Sequence, residues 1–144
     1  MTIKAIVNGR ENDVISVDAG QKVSDVVQLL SEKRIGAVPV LEAGKVVGVF
    51  SERDVIYCLA SKGAAALDYA VADVMTSPAI TVADDLPVLT ALSLMTRRRV
   101  RHLPVVEGDG AITGFVSIGD LVKYRIDRIE SEANAMRDYI QGVT

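Results

Sequence analysis

The stretch Gly114-Phe115-Val116-Ser117-Ile118-Gly119-Asp120 repeats, in nearly the same order of residue types, Gly48-Val49-Phe50-Ser51-Glu52-Arg53-Asp54. Each copy is apolar up to its serine. Beyond the serine the periodicity changes from extended to helical, so each copy reads as a buried strand running into a helix start. Ser and Asp stand three residues apart at that junction. There they can cap the free N–H groups of the first helical turn, and for a single copy that structural role is sufficient. A strand end feeding a helix start also presents a hydroxyl, a carboxylate and backbone N–H groups to a small polar ligand. Two copies in register favour this second role.

The surrounding elements recur as well. Ile15 and Ile80, Val23 and Val88, and Pro39 and Pro104 lie 65 residues apart, whereas Gly48 and Gly114, Ser51 and Ser117, and Asp54 and Asp120 lie 66 apart. The chain is therefore a duplication whose extra residue falls in a hairpin turn. In the first copy Val14-Ile15-Ser16-Val17 reads as a brief strand, followed by a helix from Lys22 to Lys33 with Val23, Val26, Val27 and Leu30 as its buried stripe. Ile35 to Leu41 and Lys45 to Phe50 form a hairpin around Glu42-Ala43-Gly44. Pro39 has no N–H to donate, so its strand is expected at a sheet edge or beside an irregularity. A helix from Glu52 to Ser61 follows, with Gly63 as its C-cap. Val88, Ala91, Leu92 and Met95 repeat the helix stripe in the second copy, where strand, helix, hairpin and closing helix are all expected to return.

Three further segments flank the copies. Thr2 to Asn8, ending at Asn8-Gly9, reads as a short amphipathic helix, and Asp68 to Met75 as a linking helical stretch. From Leu121 a longer helix carries Val122, Ile126, Ile129, Ala133, Met136 and Ile140, stepping by 4, 3, 4, 3, 4. That seam suits packing on another helix, either the module's own or a partner subunit's.

Composition narrows the function. With 144 residues and 49% hydrophobic content, the chain suits one compact domain or two small repeats sharing a core. Its apolar runs break before the ~18 residues a membrane span needs, and the N-terminus has no signal-peptide pattern, so a cytoplasmic location is expected. Cys58 and His102 are the only cysteine and histidine, which leaves neither a disulfide framework nor a structural zinc site. The net charge of −3 argues against broad nucleic-acid affinity, although Arg97, Arg98, Arg99 and Arg101 crowd together. The first three end a helix, where cations suit its dipole, whereas Arg101 lies in a strand. No Walker-type loop or G-x-G-x-x-G is present, and Cys58 and His102 have no evident third partner, so no catalytic residue is assigned.

The repeated order of elements, the two Gly-apolar-apolar-Ser-x-x-Asp junctions and the Pro-containing hairpins resemble a tandem pair of CBS (cystathionine-β-synthase) domains, a Bateman module. The resemblance covers Ile3 to Lys123, and Ser51-Glu52-Arg53-Asp54, Arg101-His102-Leu103-Pro104-Val105 and Ser117-Ile118-Gly119-Asp120 are similar to the small stand-alone bacterial members. It implies an α/β (α+β) fold: two β-α-β-β-α repeats with pseudo-twofold symmetry, usually dimerising into a flat disc, with adenosine-containing ligands in clefts between repeats. The module would then be the whole protein. The corresponding division is an N-terminal helix and lead-in over 1–13, a first repeat over 14–63, a linker over 64–78, a second repeat over 79–123 and a C-terminal helix over 124–144.

The residue types support a nucleotide ligand on their own terms. One carboxylate can accept both neighbouring hydroxyls of a ribose in charge-assisted bonds, the role suited to Asp54 and Asp120. Ser51 and Ser117 reach the same sugar or its phosphate, as the family's Ser and Thr do. Adenine needs an apolar slot edged by backbone donors and acceptors, which Ile35-Gly36-Ala37 and Ala79-Ile80-Thr81 can line. Guanidinium groups match phosphate oxygens and imidazole adds a donor. The resemblance implies that basic residues just before the Leu-Pro-Val segment contact phosphates, so these are expected beside Arg101 and His102, whichever Asp holds the ribose. These readings describe a non-catalytic sensor for AMP, ADP or ATP that signals through a homodimer to a regulated protein, with NAD or NADH satisfying the same adenosine contacts. The alternative is a ligand-independent structural or interaction module. Neither reading involves nucleic acid, a membrane or a metal.

Overall fold

The computed structural model describes residues 1–8 and 14–142. In chain order the elements are α1 (Lys4–Asn8), β1 (Val17–Asp18), α2 (Val23–Lys33), β2 (Ala37–Glu42), β3 (Lys45–Ser51), α3 (Glu52–Lys62), α4 (Val88–Arg98), β4 (His102–Val106), β5 (Ile112–Ser117) and α5 (Ile118–Gly142). The apolar stripes that predict α2 and α4 are the faces they bury: Val23, Val26 and Leu30 on one, Val88, Ala91 and Met95 on the other. Both helices end on a left-handed arginine, Arg34 and Arg99, each with φ 54°. That cap turns the chain directly into the next hairpin strand.

Strand order in the first repeat is β1-β2-β3, with β1 parallel and β3 antiparallel to β2; β4 and β5 pair antiparallel in the second. β2 is therefore a central strand, and its Pro39 is accommodated in another way. Pro39 pairs with Val49, and Val49 directs its N–H and C=O away from β2 to Thr76, at 3.0 and 2.9 Å. The ladder thus asks nothing of the proline nitrogen at that position. The register then slips between Val40 and Leu41, and again between Val105 and Val106 in the second repeat, so an irregularity does sit beside each strand proline. The first hairpin turns through Ala43 and Gly44, both at positive φ (52° and 79°), as a two-residue turn between twisted strands requires.

Three expectations are corrected. Val14, Ile15 and Ser16 are not in a strand, and β1 begins only at Val17, opposite Val40. The opening strand of the second repeat shrinks to one bridge, Val82 with Val105. Between the repeats the chain forms 3₁₀ turns at Gly63–Asp68 and Val71–Asp73, with no α-helix, and it buries Ala66 and Val71 in the first core. Gly9 and the rest of the lead-in up to residue 13 lie outside the described residues.

Each repeat has a core of its own, with Val23, Val38, Val40 and Phe50 central to the first and Val88, Met95, Leu103 and Val116 to the second. The segments that lead into the repeats cross over. Ile3, fully buried, belongs to the second core, where its N–H donates to the carbonyl of Leu86; Val71 sits in the first core and donates to Gln21, the residue equivalent to Leu86. Val7 packs on Gly114 as Met75 packs on Gly48. A bridge between Lys45 and Ala111, equivalent positions of the two hairpins, places the pseudo-twofold axis between them. Among the described residues no helix is long and apolar enough to cross a membrane.

Candidate functional site

The duplicated junctions set the chemistry. Ser51 is the N-cap of α3: its Oγ accepts the Asp54 N–H at 3.4 Å, and Asp54 Oδ2 accepts the Ser51 N–H at 2.9 Å and the Ser51 hydroxyl at 3.1 Å. In the second repeat the Ser117 hydroxyl accepts the Asp120 N–H at 3.1 Å, and Asp120 Oδ2 accepts the Ser117 N–H at 2.8 Å. Both capping roles are therefore made. Each junction is then tied to the start of its own hairpin: the Glu52 N–H donates to Gly36 at 3.0 Å, and the Ile118 N–H to Arg101 at 2.8 Å. This cross-link holds each helix start beside the residues that follow the arginine cap.

Two clefts result, each built from both repeats. One, of about 520 Å³, sets Ser51 and Asp54 of the first repeat against Ala79, Ile80, Arg101 and His102 of the second. The other, of about 680 Å³, sets Ser117 and Asp120 of the second repeat against Ile15, Ile35, Gly36 and Ala37 of the first. Both volumes fall within the range of small-molecule sites. The clefts are related by the duplication, since Ile15 stands for Ile80, Gly36 for Arg101 and Ala37 for His102.

Eleven of the twelve residues singled out from the sequence line one cleft or both. Thr81 does not: it is exposed, between Ile80 on the cleft and buried Val82, because alternate residues of an extended chain face opposite ways. Arg101 lines only the Asp54 cleft, whereas Gly36, His102 and Ser117 line both. The sequence reading passed over Thr76, whose hydroxyl donates to Asp54 Oδ1 at 2.9 Å across 22 residues. It also left out Glu52, Arg53 and Phe115, and it did not assign Arg34 to a cleft. Arg34 had a signal available, because the 65-residue shift carries Arg99 onto it.

His102 forms part of the wall between the clefts, its ring stacked on Phe115 with centroids 5.4 Å apart and planes 13° from parallel. Burial, and next the Arg101 guanidinium, lower its pKa below the ordinary 6.5, against the opposing pull of Asp120 and Glu52. At pH 7 the ring is neutral, so the positive charge of the clefts comes from guanidinium groups. Asp54 is 8% exposed, its carboxylate satisfied by three bonds from Ser51 and Thr76. Two of those donors are hydroxyls, which rotate and can turn to a ligand oxygen.

Comparison with known proteins matches the CBS domain twice, over residues 5–61 and 71–127. The chain is 35% identical over 125 residues to the mitochondrial CBS domain-containing protein CBSX3 of Arabidopsis thaliana, covering 83% of this chain and 60% of that protein. It spans between 60% and 66% of the length of three curated relatives that it matches. Among solved structures, a CBS-domain protein of Agrobacterium tumefaciens superposes with a TM-score of 0.81 at 34% identity, covering 87% of this chain and 99% of that one. CBSX2, solved in complex with AMP, superposes with a TM-score of 0.71 at 26% identity, covering 81% of this chain and 90% of its own. With two matched repeats that span most of the sequence, and a fold shared with these proteins, the chain belongs to the CBS-domain family as a tandem pair.

Proposed function

We propose that the chain is a non-catalytic regulatory module that binds adenosine-containing nucleotides in the clefts between its repeats and transmits occupancy through the geometry of a homodimer to a regulated protein. One observation carries this reading: each cleft sets a helix-start Ser and Asp from one repeat against a short apolar run from the other. A ribose diol meets the carboxylate, and the adenine ring fits the apolar run. AMP, ADP and ATP are the leading ligands, in keeping with the AMP complex of CBSX2. NAD or NADH would reuse the adenosine contacts. Binding alters a partner only if the dimer's geometries differ in affinity for the ligand.

A specific feature favours the second reading, a ligand-independent interaction module: the Ser and Asp side chains are already occupied as helix caps. Thermal denaturation separates the two. Ligand-stripped protein should gain melting temperature with adenosine, AMP or ATP in a concentration-dependent way, because a ligand held only by the folded state adds RT ln(1 + [L]/Kd). If millimolar amounts of all three leave the transition unmoved, the nucleotide reading fails and the interaction module stands.

A further inference from the structure

We propose that the two clefts take different members of the adenosine class: the Asp54 cleft a nucleotide with a multiply charged phosphate tail, the Asp120 cleft an adenosine compound of little or no negative charge. This inference rests on the nucleotide reading above. Size does not separate the clefts, since about 520 and 680 Å³ both hold a nucleoside. Charge does. Four guanidinium groups, Arg53, Arg98, Arg99 and Arg101, line the Asp54 cleft against the carboxylates of Glu52 and Asp54. Among the described residues the Asp120 cleft has one, Arg34, against Asp120 itself.

The difference arises from substitutions at equivalent positions of the duplication. Arg101 stands where the first repeat has Gly36, and Arg53 where the second has Gly119. The rest of the described Asp120 cleft mixes apolar Val7, Ile15, Ile35 and Phe115 with the polar side chains of His102, Thr113 and Ser117. Each arginine alone is exposed and screened by solvent. Several around one cleft can still chelate successive phosphate oxygens and raise the local concentration of an anion. A tail of like charge in the Asp120 cleft would lack that support. It would also lie across the shared wall of Gly36, His102 and Ser117 from the first tail, and the two would repel.

Calorimetric titration of the full, ligand-stripped chain with adenosine and with ATP tests the assignment. ATP is expected to fill one site per chain, with an affinity that falls steeply as salt is added. Adenosine should then still titrate a second site on the ATP-saturated protein. Arg101→Gly, which installs the residue of the equivalent position, should lower the ratio of ATP to adenosine affinity about tenfold. Arg101 and Arg34 are both exposed, so neither substitution threatens folding. Two equal ATP sites per chain, or a tenfold loss in Arg34→Ala with none in Arg101→Gly, overturns the assignment and leaves the nucleotide reading intact. If neither compound binds, both fall.

Discussion

His102 is the sole histidine of the chain, so the only imidazole titration belongs to the wall between the clefts. Its folded-state pKa lies below 6.5, which means that the unfolded chain binds the proton more readily. The stability this confers is complete above the ordinary value and is lost as pH falls through the lowered one. Cooling of the melting temperature from about pH 7.5 to 5.5 should therefore be larger in the native protein than in His102→Gln. Parallel curves would show that the proton is not coupled to folding. Asp54 has a structural role beside any ligand role: removing its carboxylate takes away the capping box of α3 and the partner of the Thr76 hydroxyl. Asp54→Ala should cost about 1–3 kcal/mol in urea denaturation without any nucleotide present. Its effect on binding must then be read against that loss.

Gly48 and Gly114 occupy equivalent strand positions but meet different neighbours. A Cβ on Gly48 would sit 2.5 Å from Met75 Sδ and 2.8 Å from the Thr76 carbonyl, whereas the three described atoms nearest to one on Gly114 all belong to the Val7 side chain, the first at 2.8 Å. The Thr76 backbone is pinned by its paired bonds to Val49, while a valine side chain can shift. Gly48→Ala should accordingly destabilise by about 1–3 kcal/mol and Gly114→Ala by less, as measured by denaturant midpoints. If Gly114→Ala proves the costlier, the lead-in segments are held differently from this account. The same contrast shows what was legible in the sequence. α2 and α4 were readable because a buried helix face has a local period, and the two hairpins because turn chemistry brackets them. β1 was placed too early, since a strand extends only where a partner pairs with it, and β2 meets β1 at Val40 and Leu41 alone. Thr76 was missed for a similar reason: its tie to Asp54 depends on the chain crossing β3, and local patterning does not encode that.

α5 is 25 residues long and buries only Leu121 within its own chain, while Ile126, Ile129, Met136 and Ile140 are between 48% and 64% exposed. The 4-3 seam expected from the sequence is thus present and stays exposed among the described residues. If it is the homodimer contact, Ile126→Asp with Ile129→Asp should halve the mass seen by native mass spectrometry or light scattering while leaving the circular dichroism of the folded chain in place. An unchanged mass would exclude this helix as the interface. The pairing of residues across the clefts was readable only in outline, because the 65-residue shift identifies equivalent positions without saying which repeat each one faces.

The exchange of Ile3 and Val71 between the two cores bears on how such a molecule could be divided or inherited. A gene cut in half would encode a product with one arm that has lost its seat and one seat that has lost its arm. Two such products could complete each other only by trading arms, the arrangement that the full-length chain achieves within itself. The smallest self-sufficient piece is then the pair, and an ancestor half as long would have lived as two copies.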